Sequence, residues 1–268
     1  MISAKIVADS TNHFGTRLTT IQIRVPKFLL QEINTHRQFS RNYNSSRAIP
    51  AKLMRKSATF APDEWLSNQK GMSGGAELTG LKRLVASTTW QMMTKSTLLG
   101  HAILEWAGLH KQHCNRWLEP IVWADGIITS TDWTNFLHQR NHPDAQPEIR
   151  MLAKQIEDLL LTNEPNYLEV GDWHLPYIDI DDVERFGVDD LLKISAARCA
   201  RVSYGFKADK NVELDLKRFD MLMRGEVKHW SPCEHQAQVP DTKGHIHSGN
   251  FLNWRQYRKI LENHHRNQ

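Results

Sequence analysis

The stretch THRQFSRNYNSSR, residues 35 to 47, gathers one His, three Arg, two Asn and three Ser around a single large apolar residue, Phe39. Arg37, Arg41 and Arg47 lie close in sequence to Ser45 and Ser46. A guanidinium fork beside hydroxyl donors holds a phosphate at a fixed orientation. The same composition also suits a solvated basic loop, because exposed charges cost little. A second concentration, RNHPDAQPEIR at 140 to 150, sets Arg140 and His142 ahead of a helix that Asp144 would cap. A helix N-terminus favours anions, so Arg140 marks another place where one could bind.

A third group combines HWSPCEH (229 to 235) with HIH (245 to 247), four His and one Cys in all. The spacing matches no zinc pattern, so active-site or structural histidines are expected and no metal. Cys233 beside His235 could act as a thiolate nucleophile, or be a buried inert thiol. With Cys114 and Cys199 it makes an odd, widely spaced set with no CxxC pair, so reduced thiols are expected. No P-loop and no GxGxxG fingerprint is present.

Elements must carry these residues. TRLTTIQIRVP alternates apolar and polar residues and stops at Pro26, the pattern of a half-buried strand, with a short helix following over 27 to 34. The 35 to 47 stretch then reads as a loop limited by Pro50. Residues 57 to 78 contain Pro62 and the Gly74-Gly75 pair and read as an irregular connection. Apolar residues recur at helical spacing from 81 to about 110, as one long helix or two shorter ones meeting near Gly100. IVWADGIITSTD is rich in β-branched residues, and from Ala145 the residues Ile149, Leu152, Ile156, Leu159 and Leu160 share one helical face. After an acidic, turn-rich stretch, VDDLLKISAARCARVSYG reads as a short helix running into a second basic, phosphate-friendly segment.

The 268 residues, 40% of them hydrophobic, suffice for a sizeable core, and no linker or repeat divides them, so one domain over 1 to 268 is expected. A formal charge of +4 falls short of a nucleic-acid-binding arm and suits a small anionic ligand. Lys5 and Asp9 interrupt any signal peptide and no run is long enough to span a bilayer, so a cytoplasmic protein without membrane partners is expected.

Several of these segments together resemble the flavin-dependent thymidylate synthases. His36, Arg37, Ser45 and Arg47 match that family's signature of Arg-His-Arg, seven residues, Ser and a further Arg two positions on, with Thr35 in place of the first Arg and Tyr43 in place of a usual Glu. NRWLEP, with Arg116, resembles its Arg and Pro segment. STDWTNFLHQRNHPDAQPEIR resembles its next motif, with Asn135 and Arg140 at the flavin-binding Asn and the nucleotide-binding Arg. AARCARVSY and HWSPCEH resemble segments that in the family precede the arginine signature and here follow it. A circular permutation, or a related rearrangement, accounts for that order where termini lie close together.

The resemblance implies an α/β (α+β) fold with a central, mainly antiparallel sheet flanked by helices. It implies an FAD-dependent methyltransferase that moves a one-carbon unit from 5,10-methylenetetrahydrofolate to C5 of dUMP and reduces it, with NADPH recharging the flavin. His36, Arg37, Asn135 and His229 would contact cofactor. Ser45, Ser46, Arg47, Arg116 and Arg140 would bind nucleotide, and Arg140, Ser45 and His229 would be the residues closest to the chemistry. Ser45 has no evident base partner and is not a nucleophile. Cys233 stands at a Phe position, which argues against a nucleophilic thiol there. The family's site is shared between subunits of a homotetramer, and no stable nucleic-acid partner is expected. Two alternatives stay open: a dUMP or dCMP hydroxymethylase, in which water takes the methylene group, and a non-catalytic nucleotide-binding relative.

Overall fold

The computed structural model describes residues 1–57, 59–204, 211–224 and 226–266. Residue 58 of the irregular connection and Gly205 at the end of the second basic segment therefore lie outside the described residues. A five-stranded sheet forms the centre, in the order β3-β4-β2-β1-β5: β1 Ser3–Asn12, β2 Arg17–Pro26, β3 Ser40–Tyr43, β4 Trp123–Ser130 and β5 Asn166–Leu168. All neighbours are antiparallel except the β1–β5 pair. This is the mainly antiparallel, helix-flanked α/β architecture expected. A second sheet of three two-residue strands joins β6 Trp173–His174, β7 Ala237–Gln238 and β8 Arg255–Gln256.

β2 is covered on one face along its length and on the other at Leu18 and Thr20, because it lies in the middle of the sheet with a second layer over that end. Ile21, Ile23 and Val25 pack on one side against Ile149, Leu152, Ala153 and Ile156. Those four occupy one face of a helix over Pro147–Thr162, as their spacing requires. Each isoleucine or leucine side chain among them taken from water contributes about 1.5–3 kcal/mol. On the other side Leu18 packs with Trp254, Phe251 and Val239, Thr20 and Gln22 meet side-chain partners, and Arg24 pairs with Asp125 while 38% of its side chain stays exposed.

The partners of Thr20 form a buried relay. Nδ1 of His174 lies 2.9 Å from Ser10 Oγ, and its Nε2 lies 2.9 Å from Thr20 Oγ1. Thr20 Oγ1 lies 2.7 Å from Thr129 Oγ1, which lies 2.8 Å from Nδ1 of His235. Nε2 of His235 is buried and meets no partner among the described residues. Burial lowers both imidazole pKa values to about 3.

The helices in chain order are α1 Leu30–Asn34, continuing a 3-10 turn at Lys27–Leu29, α2 Ala51–Arg55, α3 Gly80–Trp106, α4 Lys111–Cys114, α5 Thr134–Arg140, α6 Pro147–Thr162, α7 Ile180–Arg185, α8 Val188–Ala200, α9 Val212–Met223 and α10 Tyr257–Arg266. Four expectations change. Residues 40 to 43 are a strand, not loop, because the alternation of Ser40 and Asn42 with Arg41 and Tyr43 lets them pair with β4 over Ser40–Thr129 to Tyr43–Gly126. α6 begins at Pro147 with Gln146 before it and no side-chain cap, which leaves the exposed Asp144 outside the helix. Proline at the first helical position sets that start. Arg140 is the last residue of α5 and not a lead into α6, so its charge does not lie at a helix N-terminus.

The fourth change concerns the second basic segment. Arg198 pairs with Asp182 and Asp215, and Arg201 and Arg218 also pair with Asp215. Asp215 is wholly buried, so these cations clamp α7, α8 and α9 together and are taken up by carboxylates rather than held for phosphate.

α3 is one helix through Gly100, about 40 Å long at 1.5 Å per residue. Only Thr94 and His101 of it are buried. Leu81, Val85, Met92, Leu99, Ile103 and Trp106 remain exposed along a stripe of three-, four- and seven-residue steps, with Trp106 87% exposed. The expected apolar periodicity is present, but this face meets no core among the described residues.

Candidate active site

The arginine-rich signature is divided by β3. Residues 35 to 39 line one cavity and residues 44 to 46 line another, and the four-residue strand between them spans about 13 Å.

The larger cavity, about 500 Å³, is walled by Lys27, Asn44, Ser45, Ser46, Arg116 and Glu119, with Phe28, Leu30 and Pro120 as apolar surface. That volume falls in the range that encloses a small-molecule ligand. Asn115, fully buried, fixes the wall: its Nδ2 donates to the carbonyls of Ser46 and Ile49 at 2.8 and 2.9 Å, and its Oδ1 lies 3.0 Å from Nε2 of His101 on α3. Lys111 Nζ holds the carbonyl of Ala48 at 3.1 Å. The turn bearing Ser45 and Ser46 is therefore tied to α3 and to the segment after it.

Within the cavity, Ser46 Oγ donates to Glu119 Oε1 at 2.5 Å, and Arg116 donates to the same oxygen at 2.9 Å. Lys27 Nζ donates to the carbonyl of Asn44 at 2.8 Å. Burial lowers the Lys27 pKa, opposed by Glu119 and assisted by Arg116.

The smaller cavity, about 140 Å³, is lined by Thr35, His36, Arg37, Asp132 and Asn135 and by the rings of Phe39 and Phe136. His36 is buried in an edge-to-face contact with Phe136, 5.1 Å between centroids. Arg140 donates from Nε to Nε2 of His36 at 3.1 Å, and from Nη2 to the Glu32 carbonyl and to Thr35 Oγ1. Nδ1 of His36 lies 3.5 Å from the Asn135 amide. Burial first, then Arg140 and Arg41, pull the His36 pKa below its ordinary value, which keeps the ring neutral.

Of the residues singled out from sequence, Ser45, Ser46 and Arg116 thus come together, as do His36, Arg37, Asn135 and Arg140. Arg47 is exposed, and His229 is exposed with its backbone N-H on the Leu222 carbonyl; neither lines these two cavities, nor does Arg140. Thr35 takes up Arg140, and Tyr43 packs over Gly126 so closely that a Cβ there would meet Tyr43 Cδ1 at 2.1 Å. The HWSPCEH segment does reach β3: Gln256 Nε2 bridges the Glu234 carbonyl and Ser40 Oγ at 3.1 and 3.0 Å. Cys233 is buried and its thiol pKa is pushed up by burial, which suits an inert thiol. No group of three or more His, Cys, Asp or Glu able to hold a metal occurs among the described residues, and none of their helices is long and apolar enough to cross a membrane.

Sequence reasoning missed Lys27 and Glu119. Glu119 could have been found three residues after Arg116, and Lys27 as the lone charge at the strand-to-helix junction.

No family model matches the chain, and no curated protein matches its sequence. Among solved structures it is similar to the UMP/dUMP methylase PolB from Streptomyces cacaoi bound with 5-Br UMP, with a TM-score of 0.51 and 17% identity over 60% of this chain and 88% of that one. The same methylase bound with 5-Br dUMP gives 0.49 and 18%, over 60% and 90%. At this identity the likeness is one of fold.

Proposed function

We propose that the protein is a flavin-dependent thymidylate synthase-like enzyme that transfers a one-carbon unit from 5,10-methylenetetrahydrofolate to C5 of dUMP and reduces it to give dTMP. The observation that carries this reading is the 500 Å³ cavity in which Ser45, Ser46 and Arg116 of two separate motifs converge. The fold likeness to a UMP/dUMP methylase supports it. Hydroxyls, a guanidinium and the Lys27 ammonium suit a nucleotide phosphate, and the Phe28 and Pro120 surface suits a flat base.

Residues around the smaller cavity fit part of an FAD: Arg37 and Asn135 offer donors beside the Phe39 and Phe136 rings. FAD recharged by NADPH would supply the reducing equivalents for the methylene group. A space of about 140 Å³ holds only a fragment of such a group. The remainder would rest on another copy of the chain, which accords with a homotetramer, with a site shared between subunits, and with the uncovered α3 stripe. Arg140 holds His36 neutral and aimed, so that the ring offers a fixed hydrogen-bond pattern instead of a charge. Arg116 supplies fixed positive charge in the larger cavity, and Arg140, which lines neither cavity, acts through His36. The whole chain is proposed to act as one domain, since His174 and His235 bond the second sheet and its neighbouring segment to β1, β2 and β4.

Mass spectrometry of products formed from dUMP or dCMP with FAD, NADPH and methylenetetrahydrofolate under low oxygen tests the proposal. A methyl group gained on dUMP is the expected result. A hydroxymethyl product would replace it with base modification, and unchanged nucleotides would sink the enzyme reading.

A further inference from the structure

The larger cavity contains two oppositely charged residues that none of the matched motifs explains as ligand contacts, Lys27 and Glu119. Lys27 is 9% exposed, and among the described residues it has no carboxylate within ion-pair distance; the one hydrogen bond of its ammonium there is to the main-chain carbonyl of Asn44. Its remaining N-H donors belong to a residue of the cavity wall. A buried ammonium with only a neutral acceptor is stabilised strongly when an anion arrives. Glu119 is in the opposite condition. One of its oxygens already takes both Ser46 Oγ and Arg116, the donors best placed to grip a phosphate.

We propose that Lys27 is the principal cation for the phosphate of the bound nucleotide, and that Glu119 is an internal counter-ion which this phosphate displaces from Ser46 and Arg116. The proposal rests on the nucleotide reading of the cavity. A phosphate monoester dianion offers the donors more oxygen acceptors than the single carboxylate oxygen they share, and it brings to Lys27 the charge that the Asn44 carbonyl lacks. Displaced, Glu119 is an acceptor within the cavity, and so is Asn44 Oδ1, which is buried without a partner among the described residues. Two acceptors beside a phosphate site fit the hydroxyls of a sugar. Glu119 thus keeps the empty site ordered and sets a threshold: a neutral nucleoside gains nothing by displacing it, whereas a nucleotide does.

Calorimetric titration of the full-length protein with dUMP, deoxyuridine and inorganic phosphate tests this, using the wild type, Lys27→Met and Glu119→Gln. Lys27→Met is expected to weaken dUMP by about tenfold or more, the size of one charged hydrogen bond, and to leave deoxyuridine unchanged. Glu119→Gln is expected to tighten both dUMP and inorganic phosphate, because the competing anion is gone. Weaker phosphate binding by Glu119→Gln would overturn the counter-ion role and make Glu119 a brace for Arg116. Unchanged dUMP binding by Lys27→Met would overturn the role of Lys27. If Lys27→Met does not fold, Lys27→Arg keeps the charge, and the Glu119→Gln result still decides. Phosphate binding that depends on Lys27 in a protein without turnover would remove the enzyme reading alone; normal turnover of dUMP by Lys27→Met would remove this inference alone.

Discussion

Arg140 and His36, 104 positions apart in the chain, meet through a 3.1 Å hydrogen bond in which the guanidinium Nε donates and the imidazole Nε2 accepts. A cation bound to an acceptor nitrogen keeps the proton off it. Replacing Arg140 with Met is therefore expected to raise the His36 pKa, while burial still holds it below an ordinary imidazole. NMR titration of the ring resonances reads this directly, and an unchanged value would show that the contact carries no electrostatic weight.

The relay histidines are expected to weaken the fold in acid. Both His174 and His235 have native pKa values near 3, below the ordinary value of 6.5, so the unfolded chain binds more protons between those limits. Their contribution is then expected to be flat above pH of about 6.5 and to fall as pH drops towards 3, by about 1.4 kcal/mol per pH unit for each histidine. Urea denaturation at a series of pH values measures the slope, and His174→Gln should reduce it by one histidine's share.

Asp215 pairs with three arginines, Arg198 of α8, Arg201 just after it and Arg218 of α9. Asp215→Asn keeps the shape and removes the charge, which leaves the buried Arg198 with Asp182 as its one carboxylate among the described residues and takes the Asp215 carboxylate from Arg201 and Arg218. A loss of about 3–5 kcal/mol is expected by chemical denaturation. A loss below that of an ordinary surface substitution would mean that water enters the cluster.

The α3 stripe predicts an assembly. Leu99→Glu with Ile103→Glu places two charges on a face that meets no core among the described residues, so secondary structure should survive while the particle becomes smaller by light scattering. An unchanged mass would remove α3 from any interface.

The fold was legible where periodicity and covering agree. Ile149, Leu152 and Ile156 announce α6, and Pro26 ends β2 as expected. It was less legible where one residue serves two layers: Thr20 reads as a solvent-facing position but is buried between sheets against His174. The site was legible in residue types and not in grouping. Nothing in THRQFSRNYNSSR marks that its middle becomes a strand and parts Ser45 from His36, because the partner, β4, comes more than 80 positions later. Arg198 and Arg201 show the converse error, since a run of arginines cannot reveal the distant carboxylates that occupy it.

The unpartnered Nε2 of His235 has a consequence at the far end of the relay. An orphaned N-H is costlier to bury than a bare lone pair, so the ring carries its proton on Nδ1 and gives it to Thr129. Thr129 must then give its own hydrogen to Thr20, Thr20 to His174, and His174 the proton on its Nδ1 to Ser10. One silent atom beside the HWSPCEH segment thus dictates the polarity of a chain of five side chains, and the tautomer of a histidine that stands 61 positions earlier in the sequence.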